Sequence, residues 1–341
     1  MSQWSPSLLL LASGCIFITQ ADIDARQAGL NGSATDVSGD DDDILGDDDD
    51  DDLGDADLIP GDWREVSVGA WISCAIEKPY SLRCWGHYDD PDDWFPAVPD
   101  DLDFVGVSVG VEIGCAWDDS GDVRCFGAPG GDAYEPERLV MADPGMQVDG
   151  EVQCGTRECC AVSNGELVCW DDALLEPADF PSLDTTGGVE SVSGWGGWCL
   201  LDNEGDIDCF GTSGVGDGEP DEAGPYDEVH RGTNGWACGV RDQDIACWNS
   251  GMSRSSMADI VAPDRSELTD LHVIGDSNLA SVCGLRGGEV ECFQFESQSG
   301  YDTEAPSGSW TKLSLFGNDG CVIDANGRMA CFGELGSMPT P

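Results

Sequence analysis

The chain has 341 residues, with 68 Asp and Glu against 14 Lys and Arg, a formal net charge of −54, and 17 cysteines beside only three histidines. A surface this negative repels nucleic acid and anionic lipid, so neither is an expected partner. So much cysteine with so little histidine argues against zinc modules and for disulfides in an oxidising compartment.

Residues 1–21 read as a signal segment. Leu8 to Ile18 is a mostly apolar stretch, too short to span a bilayer. Within it, Leu11-Ala12-Ser13-Gly14-Cys15 resembles the lipobox of bacterial lipoproteins, although Ala12 stands where Leu is preferred and Met1–Ser7 carries no Lys or Arg. The resemblance implies lipidation of Cys15 and anchoring at the outer membrane or cell surface, the lipid being the chain's only membrane attachment. The alternative is cleavage after Thr19-Gln20-Ala21, which yields a secreted or periplasmic protein. Residues 22–62 form an Asp-rich linker: Asp40–Asp43 and Asp47–Asp52 place ten Asp in thirteen positions. Like charges at that density extend the backbone into a solvated tether. No D-x-D-x-D-G loop with a distal Glu is present, so calcium is not expected there.

Residues 63–341 are a repeat domain. Seven times a cysteine, a hairpin-length stretch and a second cysteine are followed at once by Trp or Phe. The pairs are Cys74–Cys84, Cys115–Cys125, Cys160–Cys169, Cys199–Cys209, Cys238–Cys247, Cys283–Cys292 and Cys321–Cys331, and their first cysteines lie 41, 45, 39, 39, 45 and 38 residues apart. A period near 40 with strand-like content predicts an all-β, seven-bladed β-propeller of about four strands per blade.

Turn chemistry predicts the pairing. Where the cysteines are nine apart, a two-residue loop at Asn164-Gly165, Asp242-Gln243 or Gly287-Gly288 sets them opposite each other. Where they are ten apart, a three-residue loop needs a left-handed third residue, and Gly121, Gly205 and Gly327 supply it; repeat one offers Lys78-Pro79-Tyr80 and must turn differently. Opposed cysteines at close Cα approach predict one disulfide inside each hairpin, contributing about 2.5–3 kcal/mol in the chain-entropy model. The competing state is buried free thiols. Register assigns Cys160 to Cys169, which leaves Cys154 and Cys159 for each other. No metal or cofactor site is expected, because neither C-x8-C nor C-x9-C is a zinc-knuckle spacing.

The pattern V-S-V-G-x4-C-A-x…G-x-V-x-C-[WF]-G resembles the regulator of chromosome condensation repeat in its bacterial secreted form. It is clearest at Val66–Gly86 and Val107–Gly127 and recognisable at Val192–Gly211 and Leu313–Gly333. The resemblance implies a ring closed by pairing strands from the two chain ends, with Asp57–Pro60 or Glu334–Pro341 supplying the missing outer strand. Two family features are absent: the histidine before the first cysteine, where Ile72, Ile113 and Gly197 stand, and the G-Q-L-G stretch after the aromatic-Gly. Eukaryotic members exchange guanine nucleotides on small GTPases, a substrate that an exported protein would not meet. A secreted member that inhibits a β-lactamase uses the propeller face to bind a protein.

The expected function is therefore a non-catalytic, monomeric binding module of the cell envelope, with a protein or a glycan as its unidentified partner. Trp94, Phe95, Tyr134, Trp195 and Trp236 are the candidates for its binding face. The alternatives are a structural surface lipoprotein without a ligand and a carboxylate-based glycoside hydrolase. No catalytic residue is assigned: Asp118-Asp119 and Asp171-Asp172 read as turn and loop residues, and none of His87, His230 and His272 lies in a nucleophile-elbow context.

Overall fold

The computed structural model describes residues 58–59, 61–70, 72–86, 103–111, 113–127, 140–142, 145, 147–171, 188–195, 197–210, 224–232, 235–249, 268–275, 280–294, 305–317 and 319–333. Cys15, the Asp run, Trp94, Phe95, Tyr134 and Glu334–Pro341 lie outside them.

Seven antiparallel sheets follow one another along the chain, and no α-helix occurs among the described residues. The innermost strands are Trp63–Val68, Phe104–Val109, Gln153–Cys154, Val189–Gly194, Glu228–Arg231, Thr269–Gly275 and Trp310–Phe316. Each packs beside the next, and the last packs beside the first, so the sheets are the blades of a closed ring. The chain is a seven-bladed β-propeller. Six blades show three strands among the described residues rather than the expected four; blade two adds a fourth, Val140–Ala142.

Closure draws on the amino-terminal side. Ile59 donates its N–H to the Met329 carbonyl at 2.7 Å, forming an antiparallel bridge on the outer strand of blade seven. Leu58 and Ile59 pack against the clusters on either face of that blade. Of the segment Asp57–Pro60 considered from sequence, Leu58 and Ile59 make this contact; the alternative, Glu334–Pro341, lies outside the described residues.

All eight cysteine pairs are disulfides, including Cys154–Cys159, with Cα atoms between 3.9 and 4.1 Å apart. The hairpins show why. Asn164-Gly165, Asp242-Gln243 and Gly287-Gly288 all have positive φ at both central residues, the I′ geometry that sets the cysteines opposite. Gly121, Gly205 and Gly327 are left-handed at +82°, +84° and +78°. Blade one reaches the same register, Cys74 opposite Cys84, and its loop contains a cis Lys78-Pro79 bond.

Each of the three loops that end in a left-handed glycine is preceded by an aspartate that folds back on it. Asp118 Oδ1 accepts from the N–H of Ser120 and Asp122 at 2.8 and 3.0 Å. Asp202 Oδ1 does so from Glu204 and Asp206, both at 2.8 Å, and Asp324 Oδ1 from Asn326 and Arg328, both at 2.9 Å. These aspartates are turn-formers. At Asp118, burial pushes the carboxyl up, but the Ser120 hydroxyl and the two N–H groups outweigh it and hold the pKa below the usual carboxylate value. Asp324 is lowered in the same way, against burial, by Arg328 and Asn326.

The aromatic that ends each hairpin packs between blades, as Trp85, Phe126, Trp170, Phe210 and Trp248 show in their clusters. Trp236, expected at a binding face, is 7% exposed and sits in the core of blades five and six. A large apolar ring two residues before Cys238 has only the inter-blade space to fill, so Trp236 presents no face.

Candidate functional site

The seven inner strands enclose a central channel of about 760 Å³. Register places its lining in layers. The residues directly opposite the first cysteine of each hairpin pair are Ser67, Ser108, Gln153, Ser193, His230, His272 and Ser314. Side chains alternate along a strand, so the residues two positions before them share the same face: Glu65, Gly106, Glu151, Ser191, Glu228, Asp270 and Lys312.

A β-bulge makes this outer layer possible. Register shifts between Trp63 and Glu65, Phe104 and Gly106, Val189 and Ser191, Thr269 and His272, and Trp310 and Lys312. The extra residue turns Trp63, Phe104, Val189 and Trp310 into the inter-blade core, where each is at most 4% exposed. The polar residue after the bulge then faces the channel. Blade two departs: a side chain on Gly106 would collide with the Trp117 ring, and this indole lines the channel instead.

The serines tie blade to blade. Ser67, Ser108, Ser193 and Ser314 each accept, through Oγ, the backbone N–H one residue further along the next blade's inner strand: Val109, Cys154, Arg231 and Val68, at 2.8–2.9 Å. Blade six does the same work with other groups. Asp270 Oδ2 accepts the Leu313 N–H at 3.0 Å, and His272 Nε2 lies 2.9 Å from the Leu313 carbonyl. A carbonyl can only accept, so Nε2 carries the proton. Burial lowers the His272 pKa by more than Leu313 and Asp270 raise it, which keeps the ring neutral. In blade five, His230 Nε2 lies 2.9 Å from Glu228 Oε2.

The outer layer is a carboxylate cluster around one cation. Lys312 Nζ contacts Glu65 Oε2 at 3.1 Å. Burial lowers the ammonium pKa, but Glu65, Asp270 and Glu151 together hold it above the ordinary lysine value. Glu65 is also raised: burial leads, Glu151 and Asp270 add to it, and Lys312 only partly offsets them. The two shifts point in opposite electrostatic senses because one ammonium is shared among three carboxylates. The lysine is well satisfied and Glu65 is not.

The other end of the channel is apolar. Where four blades carry Gly69, Gly110, Gly155 and Gly232, blades four, six and seven carry Trp195, Ile274 and Phe316. Blades four and seven are not neighbours in the ring, yet the rings of Trp195 and Phe316 meet at 4.9 Å, tilted by 43°. They bridge the channel at this end. Trp195 is the one described binding-face candidate that lines the channel.

Sequence reasoning left Glu65, Glu151, Glu228, Asp270, Trp117 and Phe316 unassigned. Part of the signal was present as alignment: Glu65 and Glu151 lie nine residues before Cys74 and Cys160, as Lys312 does before Cys321, whereas Glu228 and Asp270 lie ten and thirteen before Cys238 and Cys283, so the alignment slips there.

The sequence matches no protein-family model, and no curated protein is significantly similar to it. Solved structures match in fold. The CRINKLY WD40 ectodomain of the Arabidopsis thaliana receptor kinase ACR4 aligns with a TM-score of 0.54 at 18% identity, covering 82% of this chain and 98% of that one. Human WBSCR16 gives 0.56 at 13% identity, covering 80% and 87%. The entire ectodomain of the Physcomitrella patens receptor kinase CR4 gives 0.51 at 18% identity, covering 79% and 72%. Likeness at these identities supports the propeller fold.

Proposed function

We propose that this chain is an exported, non-catalytic binding module whose channel holds a cationic segment of a protein partner. The observation that carries the reading is the unequal outer layer: Glu65, Glu228 and Asp270 on inner strands, and Glu151 just before one, line the channel with a single lysine among the described residues, and Glu65 is short of positive charge. Carboxylates on a frame fixed by disulfides and hydroxyl bridges are already in place before a ligand arrives, which lowers the ordering cost of binding. Eight disulfides support an oxidising compartment. Lipidation at Cys15 would hold the ring at the cell envelope, with residues 22–62 as its tether, and the loop aromatics Trp94, Phe95 and Tyr134 would widen the contact to a protein or glycan surface. The ring acts as a monomer in this reading.

Binding of an octalysine peptide tests it, measured by calorimetry at several salt concentrations. The triple variant Glu65→Gln, Glu151→Gln, Glu228→Gln should lose at least tenfold in affinity. A control neutralising three exposed turn carboxylates, Asp119→Asn, Glu204→Gln and Asp242→Asn, should lose less than threefold. Equal losses in both variants, or no binding by the native chain, sink the reading.

A further inference from the structure

One cation has no countercharge among the described residues. Arg231 ends the inner strand of blade five and is 7% exposed. Its Nη1 makes a weak contact with Cys199 Sγ at 3.4 Å, and its Nε has no hydrogen-bond partner. No carboxylate among the described residues pairs with it. Burial alone shifts it, down to about 10, with no acidic neighbour acting in the opposite direction. A buried guanidinium, five donors and a full charge, is costly to leave unpaired.

The repeat shows how this cation is housed. The equivalent position is Val68 in blade one, Val109 in blade two and Val273 in blade six, all buried between blades. Val109 packs against Ile72 of the preceding blade, and Cys154 likewise against Ile113. Between blades four and five both partners differ: Gly197 stands where Ile72 and Ile113 stand, and Arg231 fills the room. A Cβ on Gly197 would lie 2.5 Å from Arg231 Nη2. A large aliphatic side chain has been exchanged for none, and a small one for a guanidinium. Arg231 also lines the channel, beside Trp195 and Gly232 at the apolar end and away from the carboxylate layer.

We propose that Arg231 is an anion-binding site at the apolar end of the channel, taking a single carboxylate group from the channel side, beside Trp195 and Gly232. The planar fork of guanidinium donors matches a carboxylate in shape and charge. The carboxylate is either a free small anion or the end of a protein chain. In a chain of charge −54 such a site discriminates: carboxylates are repelled everywhere else, so one that docks here is selected by the fork. The proposal is independent of the cation-binding reading, since the two sites lie at opposite ends of the channel and carry opposite charge.

The test is formate titrated into the full chain, with camphorsulfonate holding the ionic strength constant and the urea unfolding midpoint as readout. A ligand bound only by the folded state raises the midpoint progressively with its logarithm above Kd. The native chain should show that rise across a hundredfold range of formate. The double variant Gly197→Ile, Arg231→Val rebuilds the aliphatic pair of blades one and two and should be flat. If it does not fold, Arg231→Met alone carries the comparison. Acetyl-glycylglycine and its amide identify the source: a rise with the free carboxylate and not the amide assigns the site to chain termini, and a rise with formate alone assigns it to small anions. No rise with either probe, or parallel rises in native chain and variant, overturns the proposal.

Discussion

The seam between blades seven and one is the only inner-strand junction that the chain itself does not cross by direct connection. Ser314 Oγ accepts the Val68 N–H there at 2.9 Å, with Ser314 7% and Val68 5% exposed. Ser314→Ala removes the acceptor and leaves the donor, so a buried N–H loses its partner where water cannot replace it. Stranding such a group costs about 1–3 kcal/mol. The removed hydroxyl is too small to leave a cavity that adds much to this. With a urea m-value of about 3 kcal/mol/M, the upper end for small proteins, 2 kcal/mol lowers the midpoint by roughly 0.7 M. Non-reducing urea unfolding measures it, and amide hydrogen exchange at Val68 localises it. Ser67→Ala, Ser108→Ala and Ser193→Ala strand Val109, Cys154 and Arg231 in the same geometry, so their costs should cluster with that of Ser314. Four variants within 0.3 kcal/mol of the native chain, or unchanged Val68 exchange in Ser314→Ala, would refute the idea that hydroxyl bridges hold the ring together.

Asp324→Ala should cost about 2–4 kcal/mol, because one buried carboxylate serves two backbone donors and the Arg328 side chain. Its folded pKa is depressed, so the stabilisation is complete above the unfolded value near 3.9 and fades as pH falls through the lower folded value; Asp324→Asn should flatten that part of the acid-unfolding curve. Lys312→Met leaves Glu65, Glu151 and Asp270 without their shared cation. The pair is half-exposed, so the loss at neutral pH should be only about 0.5–1 kcal/mol. Glu65 has a raised folded pKa, and protonating it relieves the repulsion, so this loss should shrink as pH falls towards 5, read from urea midpoints against pH. Removing residues 1–61 deletes the Ile59 bridge to Met329; the unfolding midpoint should fall while thiol titration of the folded ring still finds its described cysteines oxidised.

The fold was legible because its determinants are local. Cys160 and Cys169 face each other when the two residues between their strands adopt left-handed backbone, and Asn164-Gly165 announces that conformation by residue type alone. The same holds for Gly121, Gly205 and Gly327. The channel was less legible because its chemistry arises between blades. Nothing near Ser67 says that its hydroxyl serves Val109, 42 residues away. Glu65 and Lys312 meet only because the ring closes. The bulges hid the lining further: simple alternation from Val66 and Val68 would have put residue 64 in the core beside them, whereas the inserted residue sends Trp63 there.

Trp236 and Trp195 show where residue type misleads. Both precede a paired cysteine in a short turn, and both read from sequence as aromatics free to meet a partner. Trp236 lies two residues before Cys238, a position whose side chain points between blades, so it is core. Trp195 follows its inner strand at a position that is glycine in four blades, where a side chain has only the channel to enter, and it crosses to Phe316. Position in the repeat, not residue type, decides which aromatic packs between blades and which enters the channel. The same rule governs charge: Glu65 and Arg231 both stand on inner strands, but Glu65 falls on the channel-facing register among other carboxylates and Arg231 on the blade-facing one against a disulfide. Opposite faces of one strand layer thus carry opposite charge in a chain of net charge −54.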